Sequence, residues 1–222
     1  MSFINNTTPR VKICCISSLQ EAQLAASYGA DALGLVGQMP SGPGVISDLT
    51  IYDIARRIPP PIATFLLTSA TKVQAVIEHY KKVQTTTIQL VDALEEQDYR
   101  TIRLAFPAVK IVQVIHVTSE ESIEEALLVQ QQVDAILLDS GNPHLEVKEL
   151  GGTGRAHNWE WSKAIREQIN IPLFLAGGLH AGNIQEAIQT VQPFGVDVCS
   201  GVRTNGQLDE QKLKAFFAAM AE

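Results

Sequence analysis

Short runs in which nearly every position is apolar alternate along this chain with longer stretches whose apolar positions recur every three or four residues. The short runs are VKICCI from Val11, ALGLVG from Ala32, IATFLLTS from Ile62, TTIQLV from Thr86, KIVQVIHV from Lys110, AILLDS from Ala135, PLFLAGG from Pro172 and GVDVCSG from Gly195. Runs without polar alternation predict strands covered on both faces, as in a parallel sheet. The longer stretches are LQEAQLAASYG, SDLTIYDIARRIPPP, TKVQAVIEHYKKV, LEEQDYRTIRLAF, SEESIEEALLVQQ, NWEWSKAIREQI, AGNIQEAIQTV and LDEQKLKAFFAAM. Their periodicity predicts amphipathic helices. The first ends at Gly29, suited to a left-handed C-cap. The second opens on a Ser47-Asp48 capping signal and stops at prolines.

Eight strands and eight helices alternate without a linker or a shift in composition. Strand starts recur about every 25 residues, the beat expected of a (β/α)8 TIM barrel. Residues 1–222 therefore read as a single TIM-barrel domain, with residues 1–10 a polar N-terminal extension. An open doubly wound sheet is the alternative, but it carries a glycine-rich first turn, whereas the glycines here come late. A weak internal repeat agrees: GADALGLV, VDAILLD and GVDVCSG each set an Asp beside an apolar run.

Barrel active sites lie at the C-terminal ends of the strands, which selects the candidate chemistry. The first strand ends at Cys14 and Cys15, and simple alternation sends the two thiols to opposite sides of the sheet. The sixth ends in Asp139, a carboxylate closing an otherwise apolar run, and the long segment after it holds GGTGR, with Gly154 and Arg155. The last two strands end in Gly177-Gly178 and in Cys199-Ser200-Gly201. Glycines at these two places free backbone N–H groups to face a phosphate.

Composition narrows the classes. Lys and Arg number 17 against 24 Asp and Glu, a formal charge of −7, which offers no cationic field for nucleic acid. No apolar run approaches the roughly 20 residues that span a bilayer. The N-terminal residues lack the apolar stretch of a signal peptide. Three cysteines form neither a disulfide set nor a zinc pattern, which suits a reducing, cytoplasmic setting. Histidines 79, 116, 144, 157 and 180 are scattered, so no metal site is expected.

The stretches VKIC, GADALGLV, IQL, ILLD, GGTG, the Trp that follows, LAGGL with Asn183, and VDV-x-SGV occur in order from Val11 to about Phe217. In these the chain resembles the phosphoribosylanthranilate isomerase family of tryptophan biosynthesis. The resemblance implies an Amadori rearrangement of N-(5-phosphoribosyl)anthranilate, without a cofactor. It implies Asp139 as the acid that protonates the ribose ring oxygen and Cys14 as the base that takes the proton from C2. It further implies a phosphate held at Gly154, Gly177, Gly178, Ser200 and Gly201, with a weaker substrate contact from Gln89; Arg155 and Arg203 are this chain's own candidates for a weaker contact to the aryl carboxylate. The partner is then a small phosphorylated molecule; oligomeric state is not legible.

The departures cluster. Where the family typically reads PKSPRYVS this chain reads PSGPGVIS, with Ser41 for the Lys and Gly44 for the Arg that grips the anthranilate carboxylate. QLHG becomes QLVD, with Val91 and Asp92, and SGVE becomes SGVR, with Arg203. Cys15 stands where the family usually has glycine. Two further readings stay open: a divergent barrel enzyme using Cys14 and Asp139 on another sugar phosphate, and a non-catalytic paralogue that binds a phosphorylated metabolite.

Overall fold

Strands buried on both faces have only one another and a coat of helices to cover them, and here they close into a ring. The computed structural model describes residues 8–141 and 157–221. The strands β1 (Arg10–Ile13), β2 (Ala32–Val36), β3 (Ala63–Thr68), β4 (Thr87–Leu90), β5 (Lys110–His116), β6 (Ala135–Asp139), β7 (Leu173–Leu175) and β8 (Gly195–Val198) pair in chain order. All pairs are parallel, and β8 returns to β1 with Lys12 opposite Asp197 and Ile13 opposite Val198. The helices α1 (Leu19–Ser27), α2 (Asp48–Arg57), α3 (Val73–Val83), α4 (Glu96–Ala105), α5 (Glu121–Val129), α6 (Trp159–Gln168), α7 (Ile184–Val191) and α8 (Glu210–Met220) follow the strands one for one.

The architecture is the expected (β/α)8 TIM barrel. Each anticipated strand and helix is present, usually a few residues shorter than its apolar pattern. Two features were not anticipated: a 3-10 turn at Ser200–Val202 and a short antiparallel hairpin, β9 (Arg203–Thr204) with β10 (Gln207–Leu208). The GGTGR stretch, with Gly154 and Arg155, lies outside the described residues, as do His144 and residues 1–7.

The local signals act as their chemistry requires. Ser18 caps α1 by accepting from the Glu21 amide. Gly29, at φ +104°, ends that helix, with its own amide on the Ala26 carbonyl and the Ala30 amide on Ala25. Ser47 accepts from the Thr50 amide to start α2. Two members of the Asp repeat do one job: the Asp31 carboxylate accepts from the Val11 amide, and Asp134 from the Ile111 amide, each at 2.9 Å. The third departs from it. Asp197 lies within β8 and turns into the barrel.

Alternation along the strands divides the core into two shells. Val11, Ile13, Leu33 and Leu35 face the helices, while Phe65, Val112, Val114, Leu137 and Phe174 fill the interior. Lys12 is wholly buried there, its ammonium 2.6 Å from the Asp197 carboxylate and 5.3 Å from the Phe65 ring centre. Burial alone would lower the lysine's pKa, but the Asp197 charge outweighs it and holds the group protonated. Gly34 makes the layer possible. A Cβ there would sit 2.8 Å from the Cys14 sulfur and 3.1 Å from the Lys12 nitrogen.

Candidate active site

Strand β1 delivers both of its thiols to the same side, against the expectation from alternation. Cys14 follows Lys12 and Cys15 adopts φ +61°, a left-handed turn that swings its side chain inward as well. Ile16 then resumes the outer shell. This conformation also explains why glycine suits position 15 in the family pattern. The Cys15 sulfur lies 2.9 Å from that of Cys199 at the end of β8 and 3.6 Å from the Pro43 carbonyl. The segment after β2 closes over it. Gly44, at φ +83°, approaches so tightly that a Cβ would fall 2.5 Å from the Cys15 Cβ.

Asp139 ends β6, directly beside His116 of β5 in the pairing register. One carboxylate oxygen accepts from the Ser140 amide at 2.7 Å. Cys14, Gln89, Asp139, Asp197 and Ser200 all line one cleft at the C-terminal mouth. The wall beneath the segment after β2 is apolar, from Val36, Met39, Pro43 and Leu67. Among the described residues that line this cleft none is a lysine or arginine.

The turns after β7 and β8 meet at the same mouth. Gly177 and Gly178 have φ of +85° and +64°, a path other residues rarely take. Asn183 ties this turn down, donating to the Gly178 carbonyl and accepting from the His180 amide. Gly177, Gly178 and Ser200 face the cleft. Gly201 does not. A Cβ there would lie 2.0 Å from the Leu179 carbonyl oxygen, so this glycine is fixed by the contact between the two loops. Gly154, the remaining glycine of the expected phosphate site, falls outside the described residues.

Of the weaker substrate contacts, Gln89 is at the mouth, almost wholly buried, with its side-chain oxygen unpartnered. Arg155 lies outside the described residues. Arg203 is a correction. Its guanidinium is buried beneath the mouth, where it grips Glu21 at 3.1 and 3.0 Å and donates to the carbonyls of Cys14, Cys15 and Gly206. With those partners it braces the turn after β1 and is not turned toward the cleft. Glu21 also accepts from the Leu208 and Ser17 amides, and although burial works against the charged form, the Arg203 guanidinium first and these amides after it hold its carboxyl below the ordinary range.

Two residues that sequence reasoning left unassigned belong to this neighbourhood. Asp197 reaches the cleft with one oxygen on Lys12 and the other, buried, without a partner. The only sign in the sequence was a carboxylate at an inward strand position. His157 donates or accepts at Ser162, 2.6 Å away, while its Nδ1 is buried and unpartnered beside Gly177 and Ser140. Burial pushes its pKa down to about 4, against the attraction of the Asp139 charge. Nothing in its spacing marked it.

The closed parallel barrel, with ionisable side chains gathered where its strands end, has the architecture of a TIM-barrel enzyme. The sequence model described as N-(5'-phosphoribosyl)anthranilate (PRA) isomerase matches residues 11–219, and the chain belongs to that family. An N-(5'-phosphoribosyl)anthranilate isomerase from Methanosarcina acetivorans is 32% identical, covering 93% of this chain and 91% of its own. One from Bacillus cereus is 34% identical, covering 96% and 98%. A phosphoribosyl anthranilate isomerase solved with reduced 1-(o-carboxyphenylamino)-1-deoxyribulose 5-phosphate superposes with TM-score 0.77 at 28% identity, over 96% of this chain and 98% of that one.

Proposed function

We propose that the protein is a phosphoribosylanthranilate isomerase of tryptophan biosynthesis that rearranges N-(5-phosphoribosyl)anthranilate with Cys14 as base and Asp139 as acid. The observation that carries the residue assignment is their meeting: residues 125 positions apart in sequence line one cleft with the β7 and β8 turns. Asp139, protonated, donates to the ribose ring oxygen as the bond from that oxygen to C1 breaks, leaving an open-chain iminium. The Cys14 thiolate removes the proton from C2, which the iminium makes acidic. The resulting enolamine tautomerises to the 1-amino-1-deoxyketose phosphate. Protons move and no external electron acceptor is needed.

The phosphate fits the turns after β7 and β8, where glycine backbone and the Ser200 hydroxyl face the cleft. Unpartnered polar atoms on Gln89 and Asp197 are the groups that ribose hydroxyls would meet. The whole reaction calls on the chain's own acids and bases. A cytoplasmic setting accords with this chemistry and with free thiols at the site.

The test is the loss of substrate fluorescence on incubation with N-(5-phosphoribosyl)anthranilate, repeated with Cys14→Ala and Asp139→Asn. Turnover by the wild type and its collapse in both variants is the expected result. A second reading, the same rearrangement on another amine, is favoured by one observation: the described cleft lining holds no cation for an aryl carboxylate. Phosphate binding without turnover of the anthranilate substrate would support it.

A further inference from the structure

Cys15 and Cys199 occupy the ends of β1 and β8, the two strands whose pairing closes the barrel. Their backbones are hydrogen-bonded neighbours up to the Cys14 amide and the Val198 carbonyl, 2.8 Å apart. In that register Cys14 would fall opposite Cys199 and Cys15 one residue further on, a diagonal step between strands about 4.8 Å apart that stays within the span of about 4.4–6.8 Å that disulfides bridge between Cα atoms. The left-handed turn at Cys15 aims its sulfur along the seam, and the two sulfurs are 2.9 Å apart. The two free thiols thus face one another in direct contact.

We propose that Cys15 and Cys199 are a redox site that closes to a disulfide, stapling the first strand to the last at the rim of the active-site mouth. Access and reactivity divide the work between the two. Cys199 is partly exposed and lines the cleft, so a small reagent reaches it first. The hydrogen bond it shares with Cys15 lowers its pKa against the opposing effect of burial, favouring the thiolate. Cys15 is buried and keeps its proton, held by contacts to the sulfurs of Cys14 and Cys199.

The oxidant is a low-molecular-weight disulfide. The Cys199 thiolate attacks one of its sulfurs, forming a mixed disulfide and releasing one thiolate. The Cys15 sulfur then attacks Cys199, giving up its proton to the departing second thiolate. Two cysteines are oxidised by two electrons and one reagent disulfide is reduced to two thiols. Excess thiol reverses both steps. In a reducing compartment the open form prevails, and the staple closes when the thiol pool is oxidised.

The experiment incubates the full-length protein with oxidised glutathione and maps cross-linked peptides by mass spectrometry. Because Cys14 and Cys15 share a peptide, variants separate them. The cross-link to Cys199 is expected in wild type and in Cys14→Ser, and is expected to vanish in Cys15→Gly and in Cys199→Ser. Glycine is the suitable replacement at a residue with φ +61°. Closure of so long a loop is also expected to raise the unfolding midpoint by about 5 °C or more, reversed by dithiothreitol. A cross-link that survives Cys15→Gly, or no cross-link in a protein whose thiols react with the reagent, would overturn the proposal.

Discussion

Arg203 and Glu21 form a buried ion pair, 3.0 Å apart, at the point where β9 passes beneath the turn after β1. The arginine also donates to the carbonyls of Cys14 and Cys15, so one guanidinium sets the height at which the proposed base stands. Removing it would leave the largely buried Glu21 carboxylate without its cation and take a donor from the carbonyls of Cys14, Cys15 and Gly206. Arg203→Met is expected to cost about 3–5 kcal/mol, the usual loss on breaking a buried pair, read as a lower urea midpoint. The lesser change Arg203→Lys keeps the charge but not the fork, and should lose less stability while still lowering kcat by shifting Cys14.

Proton transfer should depend unequally on the neighbouring thiols. Cys14→Ala and Asp139→Asn are each expected to lower kcat by about 100-fold or more, as for loss of a positioned acid or base. Cys15→Gly fits the local backbone and should cost much less. Steady-state assays of the three variants decide the matter. Equal losses at Cys14 and Cys15 would mean that both act through packing.

Acid should weaken the fold through His157. Its folded pKa is about 4 against an ordinary 6.5. Between those values the unfolded chain takes up a proton that the folded chain refuses, so stability falls as pH drops through that window and is unaffected above it. The full loss is about 3 kcal/mol, at about 1.4 kcal/mol per pKa unit. His157→Gln does not titrate, and its unfolding free energy should be flatter than the wild type's between pH 7 and pH 4.

The aryl carboxylate is the substrate group least provided for. Wild-type turnover of N-(5-phosphoribosyl)anthranilate is expected to show an elevated KM, with kcat/KM below about 10⁴ M⁻¹s⁻¹. Gly44→Arg, which restores the family's arginine on paper, is not expected to help. Its Cβ would collide with Cys15, and its φ of +83° disfavours any side chain. Even Gly44→Ala should cost on the order of 2 kcal/mol, seen as a lower unfolding midpoint. Pairing it with Cys15→Gly should recover part of that loss, since the two residues share one contact.

The order and kind of the eight barrel strands and eight helices were legible, because double-sided burial forces the apolar runs and the helix caps act locally, whereas the hairpin after β8 carried no such pattern. Cys14, Asp139, Gly177, Gly178, Ser200 and Gln89 reach one mouth because the fold's own rule places strand ends there. What misled was local conformation. Strict alternation would have parted Cys14 from Cys15, but a single left-handed residue cancelled it. At Gly201 the close approach of the Leu179 carbonyl leaves no room for a side chain, a contact between loops that no pattern announces. Arg203 looked like a spare cation because its partner, Glu21, lies 182 positions away. His157 carried no motif at all, and its role follows only from burial.

The Lys12–Asp197 pair joins residues 185 positions apart. A chain with seven strands in place has an ammonium inside an apolar sheet and no anion beneath it, a state that burial penalises heavily. The charge that the ammonium requires is carried by the last strand of the ring, so the first strand's buried cation is satisfied only where the eighth strand lies against it. The pair thus acts as a register key for the ring: a slip of one residue between the two end strands would turn Asp197 out of the barrel and leave a buried charge alone.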